Sequence, residues 1–321
     1  MKNFALIGAA GFVAPRHMKA VRETGHRLVA ALDPSDSVGV IDSYFPDAHF
    51  FTEFERFERH IELLRRDRNV PMDYVSICSP NYLHDAHVRF ALRIGADAVC
   101  EKPLVLNPWN LDALEVAAKE LGRRIYTILQ LRLHPSITAF RGKVLKTGAK
   151  RKHEVDLTYI TPRGSWYQYS WKGDAAKSGG LATNIGVHFF DVLAWCFGRP
   201  IANIVHLSAP DKAAGFLELE NARVRWFLSI DRKDLPVSPE PGAPATFRSL
   251  SLNGKEIEFS DGFADLHTAS YREILAGRGF TPADARASVE IVHAIRHASA
   301  VGAQGDCHPF ALKASRDRAR E

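Results

Sequence analysis

The chain has little of what marks several special classes of protein. Its 321 residues include only four cysteines, Cys78, Cys100, Cys196 and Cys307, and no two of them form a CxxC pair. A disulfide scaffold, a zinc knuckle and a thioredoxin-type motif are therefore unsupported. Cys78 and Cys100 each end an apolar run and read as buried thiols. No run approaches the ~18 apolar residues of a membrane-spanning helix. The N-terminus has neither the apolar stretch nor the small-residue cleavage site of a signal peptide, so a cytoplasmic protein with no membrane partner is expected. Repeats and low-complexity segments are absent. Charge of one sign is scarcely in excess, with 42 Lys and Arg against 37 Asp and Glu leaving +5. With no recognition motif beside it, that excess does not suggest nucleic acid; it suits a small anionic ligand.

What is present is ordinary for a soluble globular protein, with 46% apolar and 25% charged residues. At ~150 residues per domain the length suggests two domains. The first ~130 residues alternate short apolar runs with helical patterns. Strands are expected at Asn3–Gly8, Leu28–Asp33, Asp73–Cys78, Asp97–Glu101 and Ile125–Leu131. Helices are expected from Pro15 to about Thr24, after the capping-box form Thr52-Glu53-Phe54-Glu55, over Leu83–Ile94, and from Asn107-Pro108 to Gly122. Such strands, buried on both faces, argue for a doubly wound parallel sheet.

The pattern then changes. Val155, Leu157 and Tyr159 alternate. Phe216–Glu218 and Val224–Ile230 flank Asn221-Ala222, and Leu250–Leu252 and Glu256–Phe259 flank Asn253-Gly254, a strong hairpin signal. A mostly antiparallel sheet is expected, with helices at Gly180–Phe197, Leu266–Ala276 and Pro282–Ala300. Pro236–Pro244 reads as a surface loop. The expected domains are 1–129 and 130–321, with the last helix, 282–300, a candidate to fold back on the first domain.

The segment Gly8-Ala9-Ala10-Gly11-Phe12-Val13-Ala14 follows a strand and opens a helix, where a dinucleotide fold places its phosphate turn. Gly8 permits the tight turn, Gly11 lets the backbone approach a pyrophosphate, and the helix N-terminus holds its charge. Ala14 allows close helix–strand packing. The pattern is GxxGxxA, a departure from GxGxxG. Asp33 sharpens the reading, because a carboxylate at the end of the second strand can accept both adenosine ribose hydroxyls and repels a 2′-phosphate. This favours NAD over NADP.

Two further segments lie at carboxyl ends of strands, the ligand-binding edge of such sheets. They are Ser79-Pro80-Asn81-Tyr82-Leu83-His84 and Glu101-Lys102-Pro103. Lys102 there is near the nicotinamide, and a lysine whose pKa is lowered by a neighbouring cation and burial can move protons near neutrality. In the second half, Asn184, His188 and Asp191 recur at helical spacing within an apolar helix and share a face. His188 is a candidate acid or base on a substrate hydroxyl, with Asn184 orienting the substrate. A metal reading is weaker, since only one His and one acid lie close, and no metal is expected.

These motifs together resemble the Gfo/Idh/MocA oxidoreductases, across the whole chain and including Asp284-Ala285-Arg286. The resemblance implies an N-terminal Rossmann domain and a C-terminal α/β domain with an open sheet that commonly packs in dimers or tetramers. A narrower resemblance is carried by the segment from Gly8 to Ala20, by Asp42-Ser43-Tyr44-Phe45-Pro46, by Arg163-Gly164-Ser165-Trp166-Tyr167 and by Ser170-Trp171-Lys172-Gly173. It is to the WlbA/WbpB-type subgroup, which uses NAD to oxidise the 3-hydroxyl of UDP-N-acetylglucosaminuronic acid. The 3-keto product leads to diacetamido uronic acids of bacterial O-antigen, lipopolysaccharide and related glycans. Some members recycle their cofactor with 2-oxoglutarate. Many relatives in the wider family carry Asp where this chain has Asn184, and the subgroup carries Asn.

On this resemblance NAD lies across Gly8–Ala14, with Asp33 on the adenosine ribose. Ser79, Pro80, Asn81, His84, Glu101, Lys102 and Gln130 are expected on the nicotinamide side. Trp171 and Lys172 are expected at a cofactor, a neighbouring subunit's included. Lys102, Arg132, Arg163, Tyr167, Lys177, Asn184 and His188 are expected at the UDP-sugar, whose charge the cations offset. Either His188 takes the hydroxyl proton, or Lys102 does so with His188 assisting. Two alternatives stay open: a family dehydrogenase of another sugar or inositol, and a non-catalytic NAD-binding sensor.

Overall fold

The computed structural model describes residues 1–67, 69–147, 152–236, 246–257 and 265–318, with side chains described to residue 315. The chain divides into two units, one of Met1–Leu133 with Phe263–Arg286 and one of His134–Gly262 with Ala287–Glu321.

The first unit runs β1 (Asn3–Ile7), α1 (Ala14–Glu23), β2 (Arg27–Leu32), β3 (His49–Phe51), α2 (Phe54–Asp67), β4 (Tyr74–Ile77), α3 (His84–Arg93), β5 (Asp97–Cys100), α4 (Pro108–Leu121) and β6 (Ile125–Thr127). The strands lie in the order β3-β2-β1-β4-β5-β6 and every pairing is parallel. Val75, Ile77, Ala98, Val99 and Cys100 are all buried, as a sheet covered by helices on both faces requires. Local chemistry sets the helix ends. Pro15 occupies the first turn of α1, while Pro108 follows Asn107 at the start of α4 and Gly122, in the left-handed region at φ 61°, stops it. Strand order reverses between β1 and β4, so their carboxyl ends flank the crevice where such sheets take ligands.

The second unit runs α5 (Pro135–Thr147), β7 (His153–Ile160), two single turns, α6 (Trp166–Tyr169) and α7 (Ala175–Ser178), a π-turn over Ala182–Gly186, α8 (Val187–Phe197), β8 (Pro200–Ser208), β9 (Lys212–Leu219), β10 (Ala222–Ser229), β11 (Phe247–Leu252) and β12 (Lys255–Glu256). Its sheet order is β12-β11-β7-β10-β9-β8, antiparallel except for β7 with β10. The Asn253-Gly254 hairpin forms, with φ of 51° and 80° at its two central residues, as its turn type demands. The apolar side of β10, Val224, Trp226 and Leu228, is buried together with Phe190 of α8; Phe190 meets Trp226 edge-on at 5.4 Å between ring centroids.

Three helices close the chain: α9 (Leu266–Leu275), α10 (Pro282–His297) and α11 (Pro309–Arg318). The expected second domain begins at Gln130, four residues before the observed start at His134, and the segment that returns to the first unit is Phe263–Arg286 rather than 282–300. The physical reason is α9. Its Tyr271 and Ile274 are buried in the core beside α1 and β1, and Thr268 donates to Glu23 while Lys19 pairs with Asp265. The basic tail from Lys313 reads from sequence as solvated surface, yet it includes most of α11. There Ala311 and Ala314 are buried against Ile160, Leu207 and Phe227. Strands β3 and β8 and helix α5 carry no clear periodic signal. The 237–244 part of the expected loop and the 258–259 end of the expected strand lie outside the described residues.

Candidate active site

The glycine turn is built by backbone contacts. Gly8 donates its N–H to the Leu32 carbonyl at 2.8 Å, and Gly11 donates to the Gly8 carbonyl at 3.1 Å. Gly8 sits at φ +89°, and a Cβ there would lie 2.5 Å from the Cys78 carbonyl carbon. Only glycine fits. Asp33 closes the turn, accepting Ala10 N–H on one carboxylate oxygen at 3.0 Å and Ser35 N–H on the other at 2.9 Å. Spare lone pairs remain for ribose hydroxyls. The N–H groups of Phe12 and Val13, just ahead of α1, meet no acceptor among the described residues, which suits a phosphate at that helix N-terminus. Phe12 is 89% exposed, with the Arg16 guanidinium 5.6 Å from its ring centre.

Beside this turn lies a buried polar network. His17 of α1 and His267 of α9 each place Nε2 3.0 Å from the same oxygen, Glu101 Oε1. The other carboxylate oxygen accepts the backbone N–H of Lys102 at 3.2 Å. His17 Nδ1 meets the Tyr271 hydroxyl at 2.8 Å, and that hydroxyl meets Ser76 Oγ. A carboxylate only accepts, so both imidazoles donate through Nε2. His17 therefore accepts from Tyr271, which accepts from Ser76. Burial opposes the charge on Glu101, but the hydrogen bonds from His17 and His267 outweigh it and hold the carboxyl well below its usual range. Burial pushes the His17 pKa down, which keeps that ring neutral. The sequence singled out Glu101 but not His17, His267, Tyr271 or Ser76. The available signal was His17 itself, a polar residue on the helix face that buries Ala14 and Val21.

The remaining predicted residues of this unit are placed as follows. Ser79 and Asn81 are buried at the end of β4, flanking Pro80, and Ser79 Oγ bonds His87 Nδ1 at 2.8 Å. Lys102 precedes a cis bond to Pro103. Gln130 Oε1 is buried with no hydrogen-bond partner, an acceptor that a ligand's donor would satisfy. Two expectations need correction. His84 is 1% exposed and both ring nitrogens face backbone carbonyls, of Pro103 at 2.7 Å and Ser79 at 2.8 Å, so it offers no nitrogen to a cofactor. Arg132 is 6% exposed and its guanidinium is committed to the Asp284 side chain and carbonyl, at 3.2 and 2.7 Å. Asp284 also caps α10 by accepting from Thr281.

In the second unit the residues between β7 and α8 form a cationic, aromatic segment. Lys172 Nζ lies 4.4 Å from the Trp171 ring centre and 5.7 Å from that of Trp166. Burial, then repulsion from Arg163, lowers the Lys172 pKa. Arg163 is exposed. Lys177 is exposed too and pairs loosely with Asp174 at 3.7 Å. Tyr167 is 2% exposed, and its hydroxyl accepts from Asn184 Nδ2 at 2.7 Å. An Asp at 184 has no proton to donate there once ionised. Gly186 ends the π-turn because a Cβ would lie 2.6 Å from Leu228. The turn sets Asn184 just ahead of the half-buried His188 in the first turn of α8, and π-turns of this kind recur at functional sites.

Comparison with known proteins agrees with this geometry. Residues 2–128 match the oxidoreductase family with an NAD-binding Rossmann fold, and residues 151–236 match the C-terminal α/β domain of the same family. The WlbA (WbpB) dehydrogenase from Thermus thermophilus, solved with NAD and UDP-GlcNAcA, is 51% identical. The match covers 97% of this chain and 100% of that one with a TM-score of 0.90. The same enzyme with NAD and alpha-ketoglutarate aligns over the same shares of both chains, also at 51% identity, with a TM-score of 0.91. The 1,5-anhydro-D-fructose reductase of Ensifer adhaerens is 27% identical over 65% of this chain and 60% of its own length. The chain belongs to the Gfo/Idh/MocA oxidoreductase family.

Proposed function

We propose that the protein oxidises the C3 hydroxyl of UDP-N-acetylglucosaminuronic acid to the 3-keto sugar with NAD. The observation that carries this reading is half-identity, over nearly the whole chain, to a dehydrogenase solved with NAD and that sugar nucleotide. The cationic, aromatic segment from Arg163 to Lys177 supports an anionic substrate over inositol or a free sugar.

The residues present fit the cofactor. Gly8, Ala10, Gly11, Phe12, Val13 and Ala14 would hold its phosphates, Asp33 its adenosine ribose, and Ser79, Pro80, Asn81, Lys102 and Gln130 its nicotinamide side. NAD, when bound, supplies the hydride acceptor. Arg163, Lys172 and Lys177 offset the charge of the diphosphate and uronate, and Asn184 with Tyr167 orients the sugar. Glu101 fixes the backbone at Lys102 by accepting its N–H. Lys102 then stabilises charge developing on the C3 oxygen, and His188 takes the hydroxyl proton. Trp171 and Lys172 reaching a neighbouring subunit's cofactor is part of the same reading, as is a cytoplasmic dimer or tetramer. Recycling by 2-oxoglutarate is supported by the alpha-ketoglutarate complex of the Thermus enzyme. The 3-keto product fits a route to diacetamido uronic acids of bacterial O-antigen.

Purified protein incubated with NAD and UDP-N-acetylglucosaminuronate is expected to form NADH, seen by its near-ultraviolet absorbance. Lys102→Ala and His188→Ala are expected to abolish it with the fold intact. NADH formed only with myo-inositol or a free sugar would overturn the substrate assignment, and bound NAD with no turnover of any sugar would favour a sensor.

A further inference from the structure

His84 begins α3 and is 1% exposed. Its Nδ1 lies 2.7 Å from the Pro103 carbonyl oxygen and its Nε2 lies 2.8 Å from the Ser79 carbonyl oxygen. Both partners are acceptors only. A neutral imidazole carries one N–H. Whichever tautomer it adopted, the other nitrogen would turn a lone pair toward a carbonyl lone pair at hydrogen-bond distance, in a place closed to water. A buried polar contact of that kind costs the full penalty of an unsatisfied group and adds repulsion. The imidazolium donates to both carbonyls and leaves neither unpaired.

A buried cation needs a counter-charge, and one is present. Glu101 interacts electrostatically with His84 and is held ionised by the hydrogen bonds from His17 and His267. The other titratable groups facing His84 are Lys102, which repels it, and His87, whose own pKa is pushed down to about 4 by burial and by His84. Burial pulls the His84 pKa down, while the bonds to Pro103 and Ser79 and the Glu101 carboxylate pull it up. Burial is the largest of these pulls; what points to the protonated ring is the geometry, since the neutral ring has no satisfied state between two carbonyls.

We propose that His84 is a buried imidazolium that ties the turn after β4, at Ser79, to the Lys102-Pro103 turn after β5, and is thereby a positioning residue for Lys102. Each turn leaves the carboxyl end of a separate strand. One ring bonded to both fixes their separation, and with it the backbone from which the Lys102 side chain projects. Glu101 holds the same backbone from the other side through the Lys102 N–H. The positioning role rests on the dehydrogenase reading above; the protonation state does not.

The test of the protonation state uses the unaltered protein. Neutron diffraction from deuterium-exchanged crystals at neutral pH is expected to show deuterium on both ring nitrogens of His84. A single deuterium, with a bare nitrogen facing a carbonyl, overturns the proposal. The positioning role is read from His84→Gln, which keeps one donor for one carbonyl. With turnover assayed on UDP-N-acetylglucosaminuronate, kcat is expected to fall about ten- to a hundredfold while KM changes by less than about threefold. Wild-type kcat in that variant overturns the role. If His84→Gln does not fold, the neutron map still decides the charge. If the wild-type protein turns over no nucleotide sugar, the substrate reading fails while the map remains decisive for His84.

Discussion

The predicted site residues of the two units are set in opposite kinds of surroundings. In the first unit the side chains around Lys102 are locked. Glu101, His17, His267, Tyr271 and Ser76 are all within 9% of full burial and bonded to one another. In the second unit Arg163 and Lys177 are exposed and Lys172 is half-buried, in and around two single helical turns. A cofactor of fixed shape is served by a preorganised wall. On the proposed function, a long and charged substrate would be met by the more exposed side chains of the second unit. The same difference predicts where mutation harms the fold and where it harms only binding.

The largest effect should come from breaking the locked half. Glu101→Leu strands the N–H groups of His17, His267 and Lys102 in the interior, and is expected to cost about 3–5 kcal/mol in urea unfolding. Glu101→Gln, which keeps an acceptor, should cost less. A loss below about 1 kcal/mol for Glu101→Leu would show that the network is not held as described. Gly8→Ala comes next. It forces a Cβ against the Cys78–Ser79 backbone at a positive φ, and is expected to destabilise by about 2–3 kcal/mol and to remove NAD binding measured by calorimetry.

Acid should weaken both units through buried histidines, most plainly His87 in the first and His308 in the second. His87 in the first unit and His308 in the second have pKa values pushed from 6.5 down to about 4, chiefly by burial. The unfolded chain binds protons at these rings below 6.5 and the folded chain does not until about 4. Their contribution to stability is therefore intact above 6.5 and lost as pH falls toward 4. Each ring is expected to cost on the order of 3 kcal/mol over that window, read from urea midpoints. His308→Asn, which removes the titrating ring, should flatten the dependence, and an unchanged slope would refute the assignment. The smallest effect on stability should come from the more exposed side chains of the second unit. Arg163→Ala is expected to leave unfolding within about 0.5 kcal/mol of wild type and to raise KM for the nucleotide sugar about tenfold, with NAD affinity unchanged.

The same division governs what the sequence could reveal. The Rossmann strands, the glycine turn and Asp33 are legible because they are local. A strand is a run of apolar residues, and Asp33 lies 23 residues after the Ala10 amide it accepts. The locked network is not legible, because its bonds join residues 254 apart for His17 with Tyr271 and 166 apart for His267 with Glu101. No spacing rule connects such positions. The commitment of Arg132 to Asp284, 152 residues later, was hidden for the same reason, and so was the return of α9 to the first unit. Strand β8 escaped because its first five residues, Pro200 to Ile204, show no clean alternation of burial. The aromatic, basic segment of the second unit was legible as composition, while the single turns it forms were not.

Hydride transfer from C3 of an acidic nucleotide sugar is followed most directly with UDP-N-acetylglucosaminuronate carrying deuterium at C3, incubated with NAD and the purified protein and analysed by mass spectrometry. The deuterium is expected to move onto the reduced nicotinamide and the sugar to return as its 3-keto form. Reduced cofactor without the label, or labelled sugar recovered unchanged beside bound NAD, would contradict it.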